Sequence, residues 1–333
     1  MHPLLKRNGR DSFEVELTMR RVALIYNPAS GQNSGRRSGQ VHAALTVLRE
    51  AGVEAEALVT NAAGSAGAYA EEAVEQGYDT VLACGGDGTV HEVLQCLVGT
   101  RVALGVVPLG TANALAADLG LLGSPAEVVR KLLNSTPVEV PVGRIAYRDG
   151  RGAALSRYFM VAAGVGADAL LMARLDAGLK RRFGYALYLV EAIRIWATSS
   201  FPLFEVAFTS NGNGTRMEEA SQLLAVRVRS FGGVLGKLVP GATLRDGSLR
   251  LVAFRTRNRL HYLRFLMAVL AGRQTFAHEI ELLEADSVEV RPRKGSRTQV
   301  LVEADGEVLG ALPVRIEIAS QTVTLLIPPN ARP

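Results

Sequence analysis

Three short glycine-rich loops, each entered from an apolar run and each opening onto a helix-like segment, constrain this chain more than any other feature. The middle loop reads Gly85-Gly86-Asp87-Gly88-Thr89. Val81-Leu82-Ala83-Cys84 leads into it, and Val90, Val93, Leu94, Leu97 and Val98 follow with the period of a helix. Glycines let the backbone turn tightly and approach a ligand closely. The unpaired amides and the dipole of a helix start favour an anion there. Asp87 would repel a bare phosphate. A divalent cation between carboxylate and phosphates removes that conflict, so the loop points to a magnesium nucleotide.

The other two loops have the same setting. Val22-Ala23-Leu24-Ile25-Tyr26 reads as a strand, followed by Asn27-Pro28-Ala29-Ser30-Gly31 and a helix over about 35–51. Residues 102–107 read as a strand, followed by Pro108-Leu109-Gly110-Thr111-Ala112-Asn113 and a helix from near Ala114. Between them, 55–60 reads as a strand leading into a helix near 66–76. Alternating strand and helix implies a parallel α/β sheet with right-handed crossovers, whose ligands bind at the carboxyl ends of the strands. All three loops fall at that edge. Each alone could be an ordinary strand-to-helix turn. The pattern is neither a Walker A loop, since no G-x-x-x-x-G-K-[ST] occurs, nor a dinucleotide fingerprint after the first strand.

At 333 residues the chain has room for two domains. Its 48% hydrophobic and 21% charged residues describe a globular protein. Cys84 and Cys96 lie in or beside apolar segments and read as small packed hydrophobes of a reducing compartment, so the expected location is cytoplasmic. No apolar run reaches membrane-spanning length; 260–270 is the most apolar stretch, and Arg264 interrupts it. Residues 1–18 lack a signal-peptide core and are expected to be a disordered extension or an upstream start. The net charge of +5 is compatible with an anionic membrane surface. No basic stripe interleaved with aromatics suggests nucleic acid.

Beyond Thr136-Pro137 the texture changes. Stretches 138–142, 157–162, 203–209, 222–228, 248–254, 287–290, 300–302, 313–318 and 322–327 are β-like. Turn signals separate them: Asp149-Gly150, Asn211-Gly212-Asn213-Gly214, Asp246-Gly247 and Asp305-Gly306. Two helical stretches interrupt them, near 185–197 and 260–271. The expected fold is an α/β nucleotide-binding domain over 19–136, then a mainly antiparallel β-sandwich domain over 137–333, with the last residues returning to the first domain. A cleft between the two is the expected place for chemistry.

In that order, the Asn27, Gly85 and Pro108 motifs and the late Asp305-Gly306-Glu307 resemble the soluble diacylglycerol kinase catalytic-domain family, which includes bacterial lipid kinases, sphingosine kinases and ceramide kinases. The resemblance runs from Arg21 to Ile327. It implies ATP-dependent phosphorylation of a lipid hydroxyl with Mg2+. Asn27, Ser30 and Gly31 match the first nucleotide loop, Thr60 a nucleotide-contacting threonine, Gly85, Gly86, Asp87, Gly88 and Thr89 the phosphate loop, and Thr111 and Asn113 the third loop. Asp305 and Glu307 lie in the loop that supplies the proposed general base. Thr243, Asp246 and Ser248 match a structural Mg2+ site in which two ligands are backbone carbonyls. The segment from Gly164 to Asp168, then Lys180-Arg181-Arg182, resembles the lining of the lipid head-group site. A homodimer is compatible with the resemblance.

Two departures stand out. Asn113-Ala114 replaces the Asn-Asp of many bacterial members and matches the Asn-Ala of sphingosine and ceramide kinases, as does His91-Glu92-Val93. Pro141, with Glu139 nearby, stands where an acidic residue is common. Local alternatives stay open for the candidate residues. Asp87 is either a Mg2+ holder or a helix cap, with Thr89 as the alternative cap. Asp305 and Asp246 each precede a glycine and could simply make hairpin turns. Glu92 faces the cleft mouth or solvent. His91 is a polar helix residue or a nucleotide contact. Lys180 contacts lipid phosphates or belongs to a solvated turn. Trp196 belongs to core or to an acyl pocket. Two rival functions are a kinase of a soluble acceptor such as NAD and a non-catalytic lipid- or nucleotide-binding regulator.

Overall fold

The computed structural model describes residues 19–28, 30, 34–175, 185–210, 214–231, 239, 241–270 and 280–331. Gly31, Lys180 and the 1–18 extension lie outside the described residues.

Strands β1 (Arg21–Tyr26), β2 (Glu54–Val59), β3 (Thr80–Gly85) and β4 (Ala103–Pro108) form a parallel sheet in the order β2-β1-β3-β4. β1 and β3 are apolar runs buried almost throughout, as strands covered on both faces must be. Helices α1 (Ser34–Glu50), α2 (Ser65–Glu75) and α3 (Asp87–Leu97) alternate with them, as the sequence pattern requires. The third loop opens onto a short α4 (Ala114–Asp118) and then α5 (Pro125–Leu133). Ser124 and Glu127 cap α5 reciprocally, with Pro125 in the first turn, where a missing N–H is harmless.

The last strand decides how the two halves join. The runs 313–318 and 322–327 form one strand, β16 (Val314–Ile327), interrupted only by a register shift after Ile318. Its far end pairs in parallel with β4, Thr324 opposite Ala103. Along both its arms it pairs antiparallel with β5 (Thr136–Arg148), and its near end pairs with β13 (Ser287–Pro292). β8 (Phe204–Ser210) and β9 (Gly214–Ala220) extend the sheet beyond β13, and β6 (Ala154–Phe159) joins β5. The parallel and antiparallel parts are therefore one ten-stranded sheet.

A second, antiparallel sheet has six strands in the order β12 (Ile280–Ala285), β11 (Leu249–Phe254), β10 (Gln222–Val226), β7 (Ala162–Val165), β14 (Leu301–Ala304) and β15 (Glu307–Ala311). Ile145, Phe159, Phe204 and Ile316 from the first sheet and Val165 and Val302 from the second share one buried core. The expected sandwich is present, and one of its faces is the continuation of the nucleotide-domain sheet. β9, β12 and β15 were not expected from the sequence; two of them carry runs of charge or glycine (Arg216-Met217-Glu218-Glu219; Gly310) that hide the β pattern.

Helix α6 (Ala167–Arg174) packs on β14, β15 and α7 (Tyr185–Thr198), and α7 packs on α8 (Arg259–Leu270). Trp196 is half-buried, and its indole N–H donates to the Arg259 carbonyl at 2.8 Å, tying α7 to the start of α8. Among the described residues, no helix is long and apolar enough to cross a membrane.

Candidate active site

The three loops meet at the carboxyl ends of β1, β3 and β4. The Leu109 amide donates to the Gly85 carbonyl at 2.7 Å, and the Asn27 amide to the Cys84 carbonyl at 3.1 Å. The Gly86 amide lies 3.3 Å from the Ser30 hydroxyl oxygen, and the Asn27 side-chain amide 3.4 Å from the Thr89 hydroxyl. Gly86 and Gly110 touch backbone to backbone: a Cβ on Gly110 would stand 2.6 Å from the Gly86 Cα. Only glycine permits that approach. Gly86 is the N-cap of α3 and offers no side-chain cap, which suits the first turn of this helix to an anion. Thr60 is buried at the end of β2, its amide bonded to the Tyr26 carbonyl, and Thr111 is exposed on the third loop.

Two acidic residues of this region hold neighbouring loops. Asp87 accepts from the Asn113 amide at 2.9 Å and the Ala114 amide at 2.8 Å, so it caps α4 across the loop cluster. Burial raises its pKa, and those two amides oppose the rise. Asn113, in the left-handed region at φ 50°, closes its own loop on Gly110, accepting from its amide at 2.9 Å and donating to its carbonyl at 2.8 Å. Glu92 is not on a solvated face. It accepts from the Gly64 and Ala66 amides at 2.9 and 3.1 Å and so caps the start of α2.

The β14–β15 hairpin brings the late motif to the same place. Asp305 and Gly306 both have positive φ, 48° and 86°, as a tight hairpin turn requires. The turn is therefore real, and it also carries polar chemistry. Asp305 accepts three backbone hydrogen bonds at 2.8–3.0 Å, from Met160, Val161 and Ala162. Glu307 is different: its side chain is 42% exposed, and Oε1 lies 3.8 Å from where a Gly88 Cβ would be. Burial raises the Glu307 pKa, opposed chiefly by the positive charge of His91. His91 is 1% exposed at the side chain and lies between the two carboxylates, 3.5 Å from each. Its ring is turned to the two carboxylates of the hairpin.

A nucleotide-type loop cluster facing a carboxylate hairpin across a sheet junction is thus present, and comparison with known proteins gives it a family. The family described as the diacylglycerol kinase catalytic domain matches residues 21–145, and the YegS C-terminal NAD kinase beta sandwich-like domain matches 160–327. The chain belongs to the diacylglycerol kinase catalytic-domain family. This is a family of lipid kinases, and membership makes the chain a lipid kinase. Two similar relatives are named diacylglycerol kinase. That of Bacillus subtilis is 27% identical over 301 residues, covering 89% of this chain and 92% of its own. That of Mycobacterium tuberculosis is 27% identical over 311 residues, covering 92% and 95%. A solved putative diacylglycerol kinase from Bacillus anthracis superposes with a TM-score of 0.76 at 22% identity, covering 97% of this chain and 99% of its own. Yeast NADH kinase superposes with a TM-score of 0.50 at 11% identity, covering 94% and 84%. These two structures show likeness of fold alone.

Within this lipid-kinase frame, Asp168 at the start of α6 does not stand free. It hydrogen-bonds Glu303 of β14, and both carboxyls are raised by burial; Glu303 is raised far above its ordinary value. Glu303 also accepts from the Gly306 amide at 2.8 Å, supporting the turn that carries Asp305 and Glu307. A Cβ on Gly164 would stand 2.7 Å from Glu303, so that glycine makes room for the pair. Sequence reasoning missed Glu303. Its only signal was a carboxylate inside the apolar run that leads to Asp305.

The Thr243, Asp246 and Ser248 set closes a turn before β11. Asp246 accepts from the Thr243 amide at 3.1 Å and its hydroxyl at 3.3 Å, and Ser248 donates to Glu284. A cation of the chain itself stands at these carbonyls. Buried Arg227 donates to the carbonyls of Leu244 at 2.9 Å, Asp246 at 3.4 Å and Pro141 at 2.8 Å. Burial lowers its pKa to about 10, so it stays charged at neutral pH. Donors already fill this turn, and its arrangement does not fit a bound divalent ion. Among the described residues, no group of three or more His, Cys, Asp or Glu is placed to hold a metal.

Proposed function

We propose that this kinase transfers the γ-phosphate of ATP to a hydroxyl of a membrane lipid, with Glu307 as the general base. The observation that carries this reading is the difference between the two carboxylates of the hairpin. The lone pairs of Asp305 are engaged by three amides, whereas Glu307 is half-exposed and aimed at Gly88 of the phosphate loop. A base must lie within reach of the hydroxyl it deprotonates and hold a pKa near the working pH; burial moves Glu307 in that direction.

The α3 start and the Gly86–Gly110 contact would receive the phosphates, with Asn27, Ser30, Thr60 and Thr111 around the nucleotide. The lipid hydroxyl gives its proton to Glu307 and its oxygen bonds the γ-phosphorus. The bond from that phosphorus to the β,γ-bridging oxygen breaks, and ADP leaves. Mg2+ would arrive with the triphosphate and neutralise its charge, as phosphoryl transfer requires. Each Asp87 oxygen accepts an amide of the third loop, so in this structure Asp87 holds that loop beside the phosphate site. The basic net charge and the two free cysteines support work at an anionic membrane surface in the cytoplasm.

The test is transfer of labelled γ-phosphate from Mg-ATP to diacylglycerol, monoacylglycerol, phosphatidylglycerol, a sphingoid base and ceramide in mixed micelles, with NAD as the soluble acceptor. Label should enter a lipid. Glu307→Gln should lower kcat by about 10²–10⁴-fold with thermal stability unchanged. Label in NAD alone would overturn the acceptor class, and full activity of Glu307→Gln would overturn the base.

A further inference from the structure

His91 sits one turn into α3, immediately behind the phosphate loop, and is among the most buried polar residues of the chain. Neither ring nitrogen has a hydrogen-bond partner at ordinary distance. Each instead faces a carboxylate oxygen at 3.5 Å: Nδ1 faces Asp305 and Nε2 faces Glu307. A neutral imidazole carries one donor and one acceptor, so its lone pair would point at a negative oxygen. An imidazolium carries two donors and satisfies both sides. Burial opposes the charged form, but Asp305 and Glu307 outweigh it and the pKa is raised.

The two flanking carboxylates differ in freedom. Asp305 is fixed by three amides of the 160–162 segment, which links β6 to β7. Among the described residues no backbone amide anchors the Glu307 side chain, and it is the half-exposed partner. We propose that His91 is a positioning residue, whose imidazolium ties the Glu307 carboxylate to backbone-anchored Asp305 and holds it against Gly88 of the phosphate loop. The charged groups around the trio are Arg157, which acts on both His91 and Glu307, Glu92, which acts on Glu307, and Asp87, Glu303 and Arg227, which interact with Asp305. This inference rests on the reading of Glu307 as base.

The test is the pH profile of kcat/KM for wild type, His91→Gln and Glu307→Gln, with thermal unfolding of each. His91 lowers the Glu307 pKa, so removing its charge must move the acid limb to higher pH. One charge at 3.5 Å in a water-like dielectric predicts a shift of about one pH unit. Loss of alignment predicts a fall in kcat of about 10–100-fold, with KM for ATP changed by less than about twofold. An unmoved acid limb with only a lowered melting temperature would reduce His91 to a packing residue and overturn the proposal, while an inactive Glu307→Gln would leave the base reading standing. A fully active Glu307→Gln overturns both. Should His91→Gln fail to fold, the ring-nitrogen NMR shifts of wild type decide. His91 doubly protonated at pH 7, and titrating lower in Glu307→Gln, supports the tie; a neutral ring at pH 7 overturns it.

Discussion

The Asp87 carboxylate accepts the Asn113 amide at 2.9 Å, joining the phosphate loop to the third loop across 26 residues of sequence. With the Ala114 amide at 2.8 Å, it makes the phosphate loop itself the cap of α4. A residue that resembles a metal ligand in sequence thus acts as a clasp between two ligand loops.

Asp87→Ala should therefore lower stability as well as activity. Losing a helix cap with two amide partners is expected to cost about 1–2 kcal/mol in denaturant unfolding, and the KM for ATP should rise as the loops separate. Unchanged stability with an altered Mg2+ dependence would assign Asp87 to the ion instead.

Gly110→Ala tests the backbone contact at the centre of the cradle. The new methyl would stand 2.6 Å from the Gly86 Cα and 2.7 Å from the Asn113 carboxamide oxygen, and a backbone neighbour cannot swing aside. A loss of about 1–3 kcal/mol is expected from overpacking, together with loss of nucleotide binding by calorimetry. Gly39→Ala is the control. It lies inside α1 with nothing within 4 Å of the new atom. A gain of about 0.5–1 kcal/mol is expected there.

Asp168 and Glu303 give stability a pH dependence. The folded pKa of Glu303 lies well above its ordinary value of 4.5, so the folded state holds a proton that the unfolded state releases. Stability from this pair is fully present below that ordinary value and declines as pH rises toward the folded pKa. Glu303→Gln should keep a neutral side chain beside Asp168 and flatten that decline, so that its melting temperature gains on wild type as pH rises above 5. Parallel curves for the two proteins would show that the pair does not share a proton.

Arg227→Ala removes the donor from three inward-facing carbonyls of Pro141, Leu244 and Asp246. A loss of about 3 kcal/mol or more is expected, because buried acceptors are left unpaired. With the guanidinium in place, chelation of divalent ions should leave the wild-type melting temperature unchanged. A drop on adding chelator would show that a metal shares this turn.

Much of this site was legible in the sequence because it rests on local rules. Apolar runs ending in Gly85, Asn27 and Pro108 read as strands that deliver loops to one sheet edge, and they do. Asp305-Gly306 read as a hairpin turn, and its two positive φ values bear that out. The sandwich was legible from alternating stretches, whereas β9 and β15 were not. Edge or site-facing strands carry charges and glycines that mask the pattern of two.

The alternation of strand and helix, the loop motifs and the short list of carboxylates follow from residue type and spacing, which the sequence by itself determines. Which carboxylate is committed and which is free was decided only by the tertiary structure. Asp87, Glu92 and Asp305 find their amide donors 26–28 and 143–145 residues away. Arg227 meets carbonyls 17 and 86 residues distant. Hydrogen-bond partners at such separations follow from how the loops converge at the sheet edge and how the two sheets pack on each other, and no local pattern encodes them. Glu307, left half-exposed beside Gly88 with His91 behind it, stands out only once those other commitments are known.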